Sequence, residues 1–372
     1  MIINFDKNTL MNAINIVSKA VSGKTTMPIL ECILLRANNG RVILTANDTE
    51  LGIETIISDK CEISEEGSTA IDARLFADIV RKIDDEGMIR FKTDGNIVEI
   101  TSASSEFKIQ ERDPDQFPLL PRLSEETSVT TSQFTLKEII RDTIFSIAPN
   151  DSNKMMTGEL FEIKGNRLKA TSLDGHRISI RTTELKKEYG DLKAIIPGKT
   201  LIEISKILED DMEKDVDIFF DKDYIMFKFG ETVMTSRLID GEYFRIDSML
   251  SNDYDTRITV NKKLFLDHIE RSTILLRETD KKPLILNIRD GEMNLKLNTI
   301  MGSLNSLIPV NKTGNDLMIG FNPKFILDVL RVIDDEEVSL YMTNPKAPCF
   351  IRDEEGRYIY IILPINFNPA AY

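Results

Sequence analysis

Histidine and cysteine are scarce in this chain. Two histidines and three cysteines, Cys32, Cys61 and Cys349, stand among 372 residues, the cysteines far apart and without a CxxC pair. An odd set of isolated thiols with so few imidazoles supports neither a disulfide framework nor a zinc site; core or surface thiols are expected. An excess of base is lacking too: Lys plus Arg number 47 against 61 Asp plus Glu, a net charge of −14. Because neutralising phosphates takes a basic face, any contact with nucleic acid needs a local basic lining on an acidic body. Nor is there a basic leader ahead of an apolar run, or a stretch near the ~18 uninterrupted apolar residues of a membrane span. A cytoplasmic protein without membrane association is expected.

What is present begins with enough apolar residues, 41% of the chain, to bury a sizeable core. The length exceeds one ordinary domain and predicts two or three. Internal repetition then sharpens this. RLFADIVRKIDD from Arg74, KTLIEISKILED from Lys199 and KFILDVLRVIDD from Lys324 start 125 residues apart and keep one chemical class in most columns. Each reads as an amphipathic helix whose i, i+3, i+7 stripe is apolar: Phe76, Ile79, Ile83; Leu201, Ile204, Leu208; Ile326, Val329, Ile333.

Bases sit seven apart in every copy, Arg74 and Arg81, Lys199 and Lys206, Lys324 and Arg331, two turns along one face and away from the apolar stripe. Two readings of that basic stripe stay open. It is a functional lining, or it is a solvated face neutralised within each helix by Asp78, Glu203 and Asp328, which stand at ion-pairing spacing.

Strand signals share the period. GRVILTAND from Gly40, GNRLKATSLD from Gly165 and GEMNLKLNT from Gly291 are turns led by glycine into alternating runs, and GNIVEI, DYIMFKF and GRYIYIIL follow as later hairpin arms. Each third also opens with a helical stretch, NTLMNAINIVSKAV, FTLKEIIRDTIFSI and KKLFLDHIERSTILL. The expectation is an α+β chain of three tandem modules, residues 1–127, 128–255 and 256–372, each an antiparallel sheet backed by two helices.

Motifs that suggest enzymes are weak. Gly23-Lys24-Thr25 and Gly198-Lys199-Thr200 lack the upstream glycine of a phosphate loop, having Ser18 and Lys193 there. His176, in Asp174-Gly175-His176-Arg177, has no partnered nucleophile and reads as structural or binding. The acidic pairs Asp84-Asp85, Glu209-Asp210 and Asp334-Asp335 end three equivalent helices and read as solvated turn residues rather than metal ligands. A metal-dependent nuclease or phosphotransferase working through those pairs, or a repeat scaffold binding only proteins, are the rival readings.

Several stretches carry a resemblance: Lys24-Thr25-Thr26-Met27-Pro28-Ile29-Leu30, Leu44-Thr45-Ala46-Asn47-Asp48, Phe117-Pro118, Ser172-Leu173-Asp174-Gly175-His176-Arg177-Ile178, Leu238-Ile239-Asp240-Gly241 and Ile361-Ile362-Leu363-Pro364-Ile365. From end to end the chain resembles the β sliding clamp family of bacterial DNA polymerase III. The resemblance implies a ring of two chains joined head to tail, with helices lining the hole and sheets outside. It implies no catalytic residue and no cofactor. The expected partners are a second copy, double-stranded DNA held without regard to sequence, and the polymerase catalytic subunit, clamp loader and repair proteins bound through short apolar peptide motifs.

By resemblance, Lys24, Asn150, Lys154 and Lys199 lie near DNA, and the stripe adds Arg74, Arg81, Lys206, Lys324 and Arg331. The partner-peptide groove is expected at Met156, Leu173, Gly175, His176, Arg177, Ile178, Phe244, Met249, Pro348, Ile362, Leu363, Pro364 and Ile365, largely apolar with a few polar directors. Leu173 stands where the family usually has threonine, Phe244 where it has proline, and residues 366–372 extend past the usual end. Ring closure is expected between Phe107 and Ile109 of one chain and Ile274 and Leu275 of the other, without the family's acidic cluster, which has no counterpart in residues 298–307.

Overall fold

The computed structural model describes every residue except 24, 84–86, 122, 126–127, 278–281 and 370–372. Lys24, the pair Asp84-Asp85 and the last three residues of the extension therefore lie outside the described residues. Six α-helices are found among those described: α1 (Lys7–Val17), α2 (Ala73–Lys82), α3 (Gln133–Arg141), α4 (Gly198–Ser205), α5 (Lys262–Thr273) and α6 (Pro323–Val332). Four of them start in the same way. An Asp or Asn that ends the preceding strand, or directly follows it, accepts a backbone N–H of the first turn with its side chain: Asp6 for α1, Asp72 for α2, Asn261 for α5 and, one residue past its strand, Asn322 for α6. An extended residue with a short polar oxygen is the preferred helix N-cap, so each strand passes directly into its helix.

The apolar stripes are buried as the 3.6-residue period predicts. Phe76, Ile79 and Ile83, Leu201, Ile204 and Leu208, and Ile326, Val329 and Ile333 are all 5% exposed or less. The middle copy differs in length. α4 ends at Ser205, whose hydroxyl donates to the Ile202 carbonyl at 2.9 Å, a local bond that competes with continuing the helix. Lys206 is thus just past the helix rather than two turns along it.

The strands form four antiparallel sheets. Two compact units divide the chain, Met1–Phe134 with Lys206–Leu238, and Thr135–Ser205 with Ile239–Tyr372. In the first unit, a five-stranded sheet places Met88–Asp94 centrally, beside Ile2–Asp6, and Glu106–Gln110 at one edge. Phe91 packs edge-on against Phe5 and Phe76 there, with ring centres 6.3 and 6.0 Å apart. The unit's eight-stranded sheet is continued across Leu51–Ile57 paired with Thr232–Arg237, which is why strands of the chain's middle third belong to the same compact body as its first. In the second unit, a seven-stranded sheet contains the two longest strands, Gly158–Leu173 and Arg177–Pro197, with Tyr358–Ile362 beside the latter. A four-stranded sheet there ends on Gly302–Pro309. α5 and α6 pack on its core around Phe265, Ile269, Leu286, Leu295 and Leu330.

No helix among the described residues is long and apolar enough to cross a membrane. Cys32, Cys61 and Cys349 are free thiols. No group of three His, Cys, Asp or Glu that could hold a metal occurs among the described residues. The acidic pairs are not uniformly solvated, however. Asp335 is half-buried, accepting from the Tyr358 hydroxyl at 2.7 Å and Arg357 at 3.0 Å, because the returning strand carries both donors past the end of α6.

Candidate functional site

The second unit contains a cavity of about 490 Å³, within the range of ligand pockets. Its base is a tight turn between the two long strands. Asp174 Oδ1 accepts the backbone N–H groups of His176 (2.9 Å) and Arg177 (3.1 Å), and Gly175 takes φ +80°, a region costly for any residue with a Cβ. The Met156 Cε lies 3.9 Å from where a Gly175 Cβ would be, so the turn and the Met156 side chain close one end together.

Strand pairing supplies the floor. Ile178 stands opposite Ile361, and both face the cavity with Leu173. Ile362, one residue on, points to the opposite face and joins the core beneath α6, since side chains alternate along a strand. Ile361 therefore lines the cavity where Ile362 had been expected. The walls come from the chain after Ile239: Phe244, packed edge-on against Tyr243 at 5.6 Å, and Met249, 58% exposed on a short 3-10 turn. Pro348 and the 40% exposed Leu363 complete the rim.

Of the thirteen groove residues expected from sequence, Met156, Leu173, Gly175, His176, Arg177, Ile178, Phe244, Met249, Pro348 and Leu363 come together around this cavity, while Ile362, Pro364 and Ile365 do not line it. Past the last strand, the Ile365 N–H donates to the Gly320 carbonyl at 2.8 Å, and Phe367 lies beside Gly320. The start of the C-terminal extension is thus held along the strand Leu317–Phe321.

Arg177 is the most constrained polar group of the cavity. Its side chain is 8% exposed and donates to Asp174 at 3.0 Å, to Asp328 of α6 at 2.5 Å and to the Phe145 carbonyl. Its guanidinium lies 4.5 Å from the Phe325 ring centre and 5.4 Å from that of Phe145, a cation–π arrangement. His176 stacks on the same Phe325 at 6.3 Å. Sequence reasoning missed Phe145 and Phe325, and it placed Asp328 in the stripe rather than beside the cavity. Phe325 and Asp328 flank Ile326 and Leu327 in the repeat; the acidic column is periodic, but the partner that Asp328 takes in this copy is not.

The bases of the stripe are all exposed where described: Arg74, Arg81, Lys199, Lys206, Lys324 and Arg331, with Asn150 and Lys154 exposed as well. Their ion pairs differ by copy. Arg81 pairs with Asp78 at 2.8 Å within α2, as the spacing predicts. Asp328 turns away to Arg177, and Arg331 reaches instead to Glu270 of α5 at 2.9 Å.

Two sheet edges carry half-buried or exposed apolar groups. On Glu106–Gln110, Phe107 and Ile109 are half-buried while Lys108 pairs with Glu99 (3.1 Å) and Glu106 (3.0 Å) on its own sheet. On the four-stranded sheet, the edge Gly302–Pro309 lies beside half-buried Leu275, and Ile274 is 80% exposed. Ile300, Met301 and Leu307, not singled out from sequence, are also strongly exposed apolar groups here.

Comparison with known proteins bears on all of these features. Residues 1–121 match the N-terminal domain of the DNA polymerase III beta subunit, 130–244 its central domain and 247–366 its C-terminal domain. The chain belongs to the DNA polymerase III beta subunit family. A beta sliding clamp of Staphylococcus epidermidis is 31% identical over 371 residues, covering 97% of this chain and 98% of the relative, and one from Staphylococcus aureus is 31% identical over 369 residues with the same coverage. Among solved structures, the Bacillus subtilis DNA polymerase sliding clamp superposes with a TM-score of 0.95 at 31% identity, covering 99% of this chain and all of that one. A chain from Eubacterium rectale, provisionally described as a DNA polymerase III beta subunit, does so at 0.95 with 53% identity and equal coverage. The beta subunit is the sliding clamp of its polymerase, an accessory rather than a catalytic part. Neither a nuclease or phosphotransferase nor a protein-only scaffold finds support among these relatives.

Proposed function

We propose that this bacterial clamp works as a homodimer in the cytoplasm, three modules per chain (1–127, 128–255, 256–372) closing head to tail around duplex DNA. Arg74, Arg81, Lys199, Lys206, Lys324 and Arg331, with Lys24, Asn150 and Lys154, attract the phosphates. The 490 Å³ cavity takes short apolar peptide segments of polymerase, loader and repair proteins. Phe107 and Ile109 of one chain meet Ile274 and Leu275 of the other, each sheet edge offering unpaired backbone to its counterpart.

The observation that carries the reading is the repeated helix, which in each copy buries its apolar stripe and leaves exposed bases on an otherwise acidic chain. Topology rather than contact energy then prevents loss, so weak, salt-screened attraction suffices. Loading onto a nicked circle by the cognate loader tests it. The protein should stay on the circle and leave once the DNA is linearised, and its mass in solution should be that of two chains. Equal retention on both substrates, or a monomer at every concentration, refutes the proposal.

A further inference from the structure

Asp328 occupies a place in α6 from which it could neutralise its neighbours. It follows Lys324 by four residues and precedes Arg331 by three, the spacings at which helical side chains meet. Its carboxylate instead receives Arg177 at 2.5 Å, 17% exposed against 8% for the arginine. Among the described residues Lys324 has no ion pair, and Arg331 is held by Glu270 on α5. Arg177 is itself fixed from several sides, by Asp174, by the Phe145 carbonyl and by the Phe145 and Phe325 rings. It is therefore a rigid cation delivered from the cavity to the flank of α6.

We propose that Arg177 is a positioning residue for DNA attraction. By sequestering Asp328 it keeps that carboxylate off Lys324, so that α6 presents an unneutralised cation. The inference rests on the reading that α6 faces the duplex. Without Arg177, Asp328 would be a partly buried carboxylate lacking its partner, and such a charge takes the nearest available cation. Of the two bases at helical spacing from Asp328, Arg331 is already paired with Glu270, which leaves Lys324, one turn away. The wall of the peptide cavity and the charge of the helix are then linked through one side chain.

Binding of the full-length protein to a short fluorescent duplex, followed by anisotropy over a range of salt concentrations, tests this. Arg177→Met keeps most of the volume against the two rings and removes the charge. It should weaken binding by roughly fivefold at low salt, the scale of one exposed ion pair, and lower the slope of log affinity against log salt by about one. The double variant Arg177→Met with Asp328→Asn should return both quantities to the parent's, and Asp328→Asn alone should leave them within twofold. A merely structural role would lower affinity without rescue by the second change. Unchanged binding by folded Arg177→Met, or a double variant as weak as the single one, overturns the proposal while leaving the clamp reading intact. Absence of any salt-dependent binding by the parent protein would sink the clamp reading itself.

Discussion

Glu159 offers a sharp test of the packing beneath the cavity. It is fully buried in the strand Gly158–Leu173, its Oε2 has no hydrogen-bond partner among the described residues, and burial raises its pKa from 4.5 to about 8. The local geometry agrees with a neutral acid. Thr143 Oγ lies 2.6 Å from the Ile139 carbonyl and 2.5 Å from Glu159 Oε1, yet a hydroxyl has one proton to donate. Both contacts are satisfied when Thr143 donates to Ile139 and a protonated Glu159 donates to Thr143. Between pH 4.5 and about 8 the folded chain then binds one proton more than the unfolded chain. Stability from this group is complete below 4.5 and is lost as pH rises through 8, at about 1.4 kcal/mol per pH unit and on the order of 5 kcal/mol in all. Asp142, raised to about 6 by burial against the opposing pull of Arg181 and Arg141, adds its own slope, but equally in both proteins compared. Glu159→Gln keeps the shape and a donor for Thr143 and removes the titration. Urea unfolding of parent and variant from about pH 5 to about pH 9 should show the variant gaining several kcal/mol relative to the parent as pH rises. Parallel profiles would mean that Glu159 is ionised in the folded chain, and the reasoning would be wrong.

The remaining predictions concern other parts of the molecule. In the proposed ring closure, no charged residue occurs in 298–307 and Lys108 on the other edge is already paired within its own sheet, so dissociation of the proposed dimer should change less than about threefold between roughly 0.05 and 1 M salt. Sedimentation measures this, Leu307→Asp should weaken the dimer by at least about tenfold, and a parent dimer that falls apart in salt would contradict it. Gly314 has φ +95°, and a Cβ there would lie 1.9 Å from the Asp255 carbonyl oxygen. Gly314→Ala should cost at least about 3 kcal/mol in denaturant unfolding, and a loss under about 1 kcal/mol would show that the backbone there yields easily.

Much of the fold was legible because repetition makes a weak signal strong. One apolar stripe at helical spacing is ordinary; three at a period of 125 fix the helices at Ala73, Gly198 and Pro323 to within a residue of their expected starts. The end of α4 was not legible, since Ser205 closing on Ile202 is a local competition that a hydrophobic pattern does not register. The floor of the cavity failed by one residue for a related reason. Ile361 and Ile362 are chemically the same, and only the pairing of Ile361 with Ile178 and of Ile362 with Cys349 decides which faces the core. The salt-bridge reading of the stripe held for Asp78 and Arg81 but failed for Asp328, whose partner comes from 151 residues away.

That last contrast bears on how an acidic chain can attract a polyanion without gripping it. The pairs Arg81–Asp78 and Arg331–Glu270 are made by side chains that are 46% exposed or more. Such pairs contribute about 0 to 1 kcal/mol, so exchanging a carboxylate for a phosphate costs little in either direction. A base held this loosely can pass from one phosphate to the next as a duplex moves. Arg177–Asp328, at 8% and 17% exposure, is of the other kind. Breaking it strands a charge away from water at a cost of about 3 to 5 kcal/mol, so it persists through encounters that rearrange the surface pairs. Arg81 and Arg331 thus carry exchangeable charges, while Asp328, the carboxylate of α6 one turn from Lys324, is held by Arg177 in a pair that such exchange does not reach.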